Sequence, residues 1–318
     1  MKVAVLGIGF GIVHIQTFLK NPDIDDIFVF SRSEEKLKAL KEQYPIQITT
    51  NLLSIMENEE IKLVSIALPH LLHKEMAIMA MQHQKDVICE IPVGIDMNEI
   101  REIEEVEKLT GRQVMTNLFM RYRPCYQTLL QYVNEQKLGK LLELRLKNNS
   151  GPVWGHHPLG IHQLIVEAGL SDFDALSWIV SDLSIENINI NDVSADISSI
   201  HVTFHSAETA IYYSCCSMMP ANYGVQEEYE AIFENGILHY QETAWTDNRN
   251  KIELIEYRND CIKSIDLRKD NHYEECLNDC IQQIKFRNTE GLTNLKEAKK
   301  SLYLVEEILY RIQKEKAK

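Results

Sequence analysis

The chain has 318 residues, 45% hydrophobic content and a formal net charge of −14 at pH 7. This length accommodates two domains, and the negative charge argues against nucleic acid as a partner, because phosphates would be repelled. No apolar run approaches the roughly 20 residues of a membrane span, and the seven cysteines lack disulfide spacing, which together predict a cytoplasmic protein with reduced thiols and no membrane partner.

The opening stretch predicts a strand, a glycine turn and a helix. Val3 to Leu6 is short and apolar, and Gly7-Ile8-Gly9-Phe10-Gly11 follows it directly. Gly7 permits a tight turn, and Gly9 lets the backbone approach a pyrophosphate held at the start of the helix. The third glycine comes one residue earlier than in the usual G-x-G-x-x-G, with Ile12 in its place. A glycine turn in some other α/β protein is the alternative.

The second strand predicts which dinucleotide is bound. Ile27 to Phe30 ends in Ser31-Arg32-Ser33, at the distance where a dinucleotide fold reads the ribose. An acidic residue there would favour NAD(H), whereas a guanidinium suits a 2′-phosphate. We therefore predict NADP(H) rather than NAD(H), with Arg32 as the main contact and Ser31 or Ser33 assisting. Ser33 is also suited to cap the next helix, and both roles are compatible.

Strands and helices keep alternating up to residue 118, which predicts a parallel sheet covered on both faces. Asp96 and Glu99 have the spacing of a helix cap, and Gly111 suits the end of that helix. After residue 118 the pattern changes to helices and consecutive strands, typical of an antiparallel sheet. Predicted strands are 46–49, 63–68, 86–90, 113–117, 141–146, 198–205, 209–214, 229–233, 236–240 and 252–257, with a polar loop at 147–161 and helices at 163–180, 273–287 and 295–314.

Several motifs, in order along most of the chain, resemble the glucose-fructose oxidoreductase, inositol dehydrogenase and rhizopine-catabolism (Gfo/Idh/MocA) family. They are the glycine turn followed by His14, Ala67-Leu68-Pro69 with His73, Cys89-Glu90-Ile91-Pro92, Asn117 with Arg121-Tyr122-Arg123-Pro124, Gly139-Lys140, and Glu167-Ala168-Gly169 before Asp174-Ala175-Leu176.

The resemblance implies an α/β chain with a Rossmann dinucleotide-binding domain at 1–118. A C-terminal α+β domain at 119–318 would carry an open, mostly antiparallel sheet, a pocket for a small-molecule substrate, and a dimer or tetramer interface. It also implies hydride transfer between nicotinamide and a carbon bearing oxygen or nitrogen, commonly in a sugar or polyol. Further cofactor contacts are expected at Ala67, Leu68, Pro69, His70, His73, Glu90 and Asn117.

The chain departs from this family at its catalytic motifs. The family triplet Glu-Lys-Pro carries a lysine that helps to move a proton, and isoleucine replaces it at position 91. In the second motif, Glu167 lies where the family has an aspartate and Ser171 where it has a histidine.

Three functions are compatible with these departures. The first is a reductase that uses another proton donor: His157, His162, Tyr122 or Glu167. For these residues the alternatives are an exposed loop at His156-His157 and a buried pair of Glu167 with a base such as Arg121. The second is a C=N reductase, because Gly7-Ile8-Gly9-Phe10-Gly11 and the lysine-free triplet resemble thiazoline-imine reductases. The third is a dinucleotide-binding sensor without catalysis.

Two cysteines remain as candidate metal ligands. Cys276 and Cys280 lie four residues apart on a predicted helix, but no second Cys or His pair with ligand spacing accompanies them. We therefore predict core packing and no metal.

Overall fold

The computed structural model describes residues 1–150, 160–194, 197–217, 219–245, 247, 249–269 and 271–316. The chain forms two compact units. The first contains Met1–Tyr122 and Asn271–Leu302, and the second contains Arg123–Asp270 and Tyr303–Lys318. Asn271–Leu302 thus belongs to the same unit as the N-terminal residues, although it comes late in the sequence.

The N-terminal part alternates strands and helices, as predicted. In chain order the elements are β1 (Lys2–Leu6), α1 (Gly11–Lys20), β2 (Asp26–Phe30), α2 (Glu34–Gln43), β3 (Gln47–Thr49), α3 (Leu52–Met56), β4 (Ile61–Ile66), α4 (His73–Gln82), β5 (Asp86–Cys89), α5 (Met97–Thr110) and β6 (Val114–Thr116).

These six strands form one parallel sheet in the order β3-β2-β1-β4-β5-β6. The predicted Rossmann sheet is therefore confirmed. The order reverses between β1 and β4, and in open α/β sheets ligands bind beyond the carboxyl ends of the strands at such a point. The β1–α1 turn and the segments that follow β4 and β5 all lie at this edge of the sheet.

Local signals in the sequence define the helix ends. The Asp96 side chain accepts hydrogen bonds from the backbone N–H groups of Asn98 and Glu99, and Glu99 accepts from Ile95 N over 3.0 Å. Gly111 ends α5 with a φ of 66°, a conformation that glycine adopts at little cost. The predicted cap and stop of this helix are confirmed.

The remaining elements, in chain order, are α6 (Pro124–Asn134), β7 (Leu141–Ser150), α7 (Ile161–Gln163), a π-helical segment (Leu164–Gly169), α8 (Leu170–Ile179), β8 (Ser184–Ser194), β9 (Ile197–His205), β10 (Ala210–Cys216), β11 (Val225–Phe233), β12 (Gly236–Ala244), β13 (Asn250–Tyr257), β14 (Ile262–Ser264), α9 (His272–Lys285) and α10 (Leu295–Lys316).

The second unit is built on an eight-stranded sheet with the order β14-β13-β12-β11-β7-β10-β9-β8. Its neighbouring strands are antiparallel except β7 and β10, which are parallel. The predicted open, mostly antiparallel sheet is confirmed. Residues Leu144 and Leu146 on β7, with Ile211 and Tyr213 on β10, are buried on one face.

Three details of the second unit differ from the prediction. The edge strand β8 was not predicted, because its sequence is rich in Asn, Asp and Glu, which strands disfavour. The three exposed residues of β14 gave no apolar signal either. Residues 147–150 continue strand β7 rather than opening a loop, since β7 pairs with a strand on each side. The rest of the predicted loop lies outside the described residues, apart from residues 160 and 161.

Helix α9 completes the core of the first unit. Its Cys276, Leu277, Cys280 and Ile281 are fully buried and belong to one apolar cluster with residues of β1, β2 and α1. Burial of a side chain such as Leu277 contributes roughly 1.5–3 kcal/mol. The two cysteines of α9 therefore pack in the core, as predicted.

Candidate functional site

The glycine turn after β1 is tight at its first position. Gly7 has a φ of 105°, and its N–H donates to the carbonyl of Phe30 over 3.0 Å. A Cβ atom built on Gly7 would lie 2.3 Å from the carbonyl oxygen of Ala67. Both the backbone conformation and the approach of the segment after β4 require glycine here.

The same turn is open at its second glycine. A Cβ atom built on Gly9 would have no heavy atom within 4 Å, whereas one on Gly11 would lie 3.1 Å from Val5 Cγ1. Helix α1 begins at Gly11 without a side-chain cap and without an acidic residue in its first turn. An uncapped helix start with space above the preceding glycine suits an anion such as a pyrophosphate.

The residues after β2 combine a helix cap with an unpaired cation. Ser33 Oγ accepts from Lys36 N over 3.4 Å, so the capping role of Ser33 is confirmed. Ser31 Oγ accepts from Ser33 N over 3.3 Å. The Arg32 side chain is exposed and makes no ion pair within the described ranges. A guanidinium without a partner at this point can receive a phosphate.

Four polar side chains, from α1, β4 and the segments after β5 and β6, meet at the carboxyl edge of the sheet. The His14 ring on α1 lies 2.7 Å from Ser65 Oγ through Nδ1 and 2.7 Å from Glu90 Oε1 through Nε2. Asn117 Nδ2 donates to the same Glu90 oxygen over 2.7 Å. A carboxylate oxygen only accepts hydrogen bonds, so Nε2 donates to Glu90. His14, Ser65 and Asn117 are fully buried.

This group leaves one acceptor unused. Asn117 Oδ1 is buried and has no hydrogen-bond partner among the described residues. An unpaired buried amide oxygen is costly, and a ligand that donates an N–H, such as a carboxamide, would satisfy it. The resemblance drew attention to His14, Glu90 and Asn117 separately, but the role of Ser65 was missed. Ser65 lies within an apolar run, which predicted a buried strand and gave no indication of a polar contact.

The segment after β4 contains two of the predicted histidines. The His70 side chain is half-buried, in a short 3₁₀ turn from His70 to Leu72. His73 begins α4 and is buried, with its two ring nitrogens 2.7 Å from the carbonyl oxygens of Pro92 and Leu68. Ile91, where the family has lysine, is half-buried and carries no titratable group.

Tyr122, one of the proposed proton donors, is engaged inside the first unit. Its hydroxyl donates to the carboxylate of Asp279 on α9. Burial, and next the proximity of Cys276, raise the pKa of Tyr122 far above its ordinary value. The hydroxyl therefore holds its proton tightly in this arrangement.

The remaining candidates for proton transfer lie in the second unit. His162 on α7 and Glu167 in the π-helical segment are exposed, whereas His157 lies outside the described residues. The alternative that Glu167 is a buried partner of Arg121 is wrong, because Glu167 is exposed and Arg121 pairs with Glu297 over 2.7 Å. The helix predicted at 163–180 contains a π-helical turn at this point, a feature that often marks functional sites.

Sequence reasoning missed the acid next to Ser171. Asp172 is buried on α8 and accepts hydrogen bonds from Tyr213 over 2.8 Å and from Asn148 over 3.0 Å. Burial, and next the charge of Glu227, raise the pKa of Asp172 to about 7. The only sequence signal was an acidic residue at an otherwise apolar helix position.

Comparison with known proteins identifies a family for the N-terminal part of the chain. Residues 1–118 match the Gfo/Idh/MocA profile, described as an oxidoreductase family with an NAD-binding Rossmann fold. An uncharacterised oxidoreductase of Synechocystis is 29% identical over 143 residues, which are 44% of this chain and 38% of that protein. An inositol 2-dehydrogenase of Renibacterium salmoninarum is 24% identical over 260 residues, 74% of this chain and 77% of that protein.

Solved structures with the same fold cover nearly the whole chain. A 3-ketoreductase from Actinomadura kijaniata in complex with NADP has a TM-score of 0.82 at 14% identity, covering 96% of each chain. An oxidoreductase from Agrobacterium radiobacter in complex with NAD⁺, L-tartaric acid and magnesium has a TM-score of 0.78 at 15% identity, covering 96% of this chain and 94% of that chain. At these identities the similarity establishes the fold.

The matches to curated relatives are partial. The chain spans 38%, 40% and 53% of the lengths of three of them, the last being an inositol 2-dehydrogenase/D-chiro-inositol 3-dehydrogenase of Lactiplantibacillus plantarum. In the described part of the chain, no helix is long and apolar enough to cross a membrane. Taken with the glycine turn, the strand order and the second sheet, these matches show that residues 1–118 are a Rossmann domain of the Gfo/Idh/MocA oxidoreductase family and that the chain has the fold of the solved structures named above.

Proposed function

We propose that this protein is an NADP(H)-dependent oxidoreductase that moves a hydride between the nicotinamide and a carbon of a small carbonyl or hydroxyl substrate, sugar-like or polyol-like. The observation that carries the proposal is the β1–α1 turn. Its open Gly9 and its uncapped helix start leave backbone N–H groups available to an anion. The match of residues 1–118 to an oxidoreductase family with an NAD-binding Rossmann fold supports the same conclusion.

Each part of the cofactor has a suitable group in the first unit. The glycine turn would hold the pyrophosphate, and Arg32 with Ser31 would hold the 2′-phosphate of the ribose. The unpaired Oδ1 of Asn117 would accept an N–H of the carboxamide. When bound, the nicotinamide supplies or accepts the hydride. A hydrogen bond to Glu90, which His14 also contacts, would fix the position of the Asn117 amide that holds the nicotinamide.

The proton that accompanies the hydride needs a donor other than residue 91. His162 and Glu167 are exposed and separated by one helical turn, so both are accessible to a substrate. An imidazole titrates near neutral pH and can donate or accept a proton. We assign the proton transfer to His162, with Glu167 as the second candidate and with His157 and Tyr122 as the others.

A second candidate function is reduction of a C=N bond. It is favoured by the absence of a titratable group at Ile91, because an imine can be protonated by solvent before hydride arrives. The shortened Gly7-Ile8-Gly9-Phe10-Gly11 turn also resembles that of thiazoline-imine reductases.

The experiment follows NADPH absorbance with a panel of keto-sugars, aldehydes and cyclic imines, and NADP⁺ reduction with polyols. Turnover of a keto-sugar, aldehyde or polyol supports the first proposal. Turnover confined to imines supports the second. Tight NADPH binding without turnover of any member would contradict both and leave a dinucleotide-binding sensor.

We also propose that the protein forms a homodimer or homotetramer through the open face of the second sheet. That face carries charges of both signs: Lys147 lies 3.4 Å from Glu228, and Arg145 lies 3.4 Å from Glu230. Tyr212, on the same face, is 44% exposed. Light scattering would show an oligomer that Tyr212→Arg weakens. Leu109→Glu, at a residue of the first unit that is 85% exposed, should leave the oligomer intact.

A further inference from the structure

The His73 side chain has an unusual pair of partners. It is 1% exposed, and its Nδ1 and Nε2 atoms each lie 2.7 Å from a backbone carbonyl oxygen, those of Pro92 and Leu68. A carbonyl oxygen only accepts hydrogen bonds, so each ring nitrogen has to donate. Turning the ring by 180° would replace both nitrogens by carbons and lose both contacts.

A neutral imidazole carries one N–H and one lone pair. In this position the lone pair of a neutral ring would face a carbonyl oxygen at 2.7 Å, and two hydrogen-bond acceptors repel each other at that distance. Only an imidazolium satisfies both contacts. Burial and the amino end of α4 both disfavour a positive charge, so the charge depends on the two carbonyls being kept in place.

No carboxylate shares this charge. Within the described residues the ring makes no ion pair, and Glu90, which lies at the same edge of the sheet, is held by His14 and Asn117. Lys74, the next residue of α4, pairs with Glu99 and Glu102 on α5. The other charged or titratable groups on α4 and the elements packed against it are Glu75, His70, Lys62, Asp86, Cys89, Arg101, Glu104, Glu105, Glu107 and Lys108.

The two carbonyls belong to the segments that border the proposed nicotinamide site. Leu68 follows Ala67, whose carbonyl packs against Gly7. Pro92 follows Glu90 and Ile91 after β5. Strands β4 and β5 are neighbours in the sheet. The His73 ring thus sets the spacing between the segments that follow these two strands.

We propose that His73 is a positioning residue, doubly protonated in the folded protein, whose imidazolium joins the Leu68 and Pro92 carbonyls and so fixes the segments that border the cofactor. If the ring loses its proton, one of the two contacts is lost and one segment is released. The protonation state is inferred from the two contacts of the ring, whereas the effect on the cofactor rests on the proposed function.

The first test is nuclear magnetic resonance of the ¹⁵N-labelled histidine rings, with the His73 signals identified by their absence in His73→Gln. We expect two protonated ring nitrogens on His73 at pH 7.5. A neutral tautomer of His73 at that pH would overturn the proposal, whatever the protein binds.

The second test measures the NADPH dissociation constant against pH for the wild type and His73→Gln, after their melting curves show that both are folded. We expect the wild type to lose affinity over the pH range in which the ring signals report loss of the proton. His73→Gln should bind about tenfold more weakly and without that pH dependence. Equal affinities and pH profiles would overturn the positioning role. A protein that binds no NADPH at all would contradict the proposed function while the ring signals still decide the protonation state.

Discussion

Tyr213 donates its hydroxyl hydrogen to Oδ2 of Asp172 over 2.8 Å, and both side chains are buried. The pKa of this carboxyl is raised from 3.8 to about 7 by burial and next by Glu227. The folded state therefore binds a proton more tightly than the unfolded state. The stability that this proton contributes is fully present below about pH 4 and is lost as the pH rises through about 7.

We therefore expect the free energy of unfolding to fall between about pH 4 and pH 7, by on the order of 1–4 kcal/mol. Asp172→Asn should flatten this slope, and Asp266→Asn, at an exposed position, should leave it unchanged. Urea unfolding at a series of pH values measures the effect. A slope that persists in Asp172→Asn would show that another group titrates.

The two glycines of the first turn should separate stability from cofactor binding. Gly7→Ala places Cβ 2.3 Å from the Ala67 oxygen at a positive φ, and we expect a loss of about 2 kcal/mol or more in the free energy of unfolding. Gly9→Ala meets nothing within 4 Å, so the melting temperature should be kept while NADPH binding weakens. Calorimetry and NADPH titration measure the two effects. Unchanged NADPH affinity in Gly9→Ala would contradict the assignment of the turn.

Arg32 should determine the preference for NADP(H). Arg32→Ala removes a cation that would pair with the 2′-phosphate, so NADPH affinity should fall about tenfold or more while NADH affinity stays the same. The matched control is Lys36→Ala, a nearby exposed cation on α2. Fluorescence titration of both cofactors measures the effect. Tighter binding of NADH than of NADPH by the wild type would refute this assignment.

The contact between His14 and Glu90 should be energetically coupled. The two side chains are 2.7 Å apart and His14 is fully buried, so each single variant leaves a polar partner unsatisfied. In a double-mutant cycle of His14→Gln and Glu90→Gln we expect a coupling energy on the order of 1–3 kcal/mol. Urea unfolding of the four proteins provides it. Additive effects would mean that the contact contributes nothing.

The proton-transfer assignment makes a kinetic prediction. His162→Asn should lower kcat by about 100-fold or more and remove the limb of the pH–rate profile that the imidazole contributes, with NADPH affinity unchanged. His83→Asn, at another exposed histidine, is the control. A wild-type rate in His162→Asn would contradict this assignment and leave Glu167 as the next candidate for proton transfer.

Much of the fold was predictable because its signals are local. The apolar runs of the parallel strands, the glycine of the first turn and the caps of α2 and α5 each depend on a few neighbouring residues. Strand β8 was not predicted because it is an edge strand rich in Asn, Asp and Glu, which strands disfavour. The grouping of α9 with the first unit depends on packing between distant segments, which no local pattern encodes.

The sequence predicted which residues contribute to the site, but it did not predict their hydrogen-bond partners. The sequence indicated His14, Glu90 and Asn117 through motifs, but their meeting at a single carboxylate oxygen is a tertiary relationship. Asp172 and His73 have properties set by what surrounds them: burial raises the pKa of the first, and two carbonyls hold the second. Such environments exist only after the elements have packed.

Helix α9 has a consequence for how the chain is made in a cell. Its Leu277 and Ile281 fill the apolar cluster against the first strands and helix α1, yet more than a hundred residues separate it from the rest of its unit. During translation the first unit therefore cannot complete its core until the ribosome has synthesised most of the second unit and then α9. A nascent chain of this design is exposed to chaperones and proteases for most of its synthesis, and its earliest residues are among the last to be sealed.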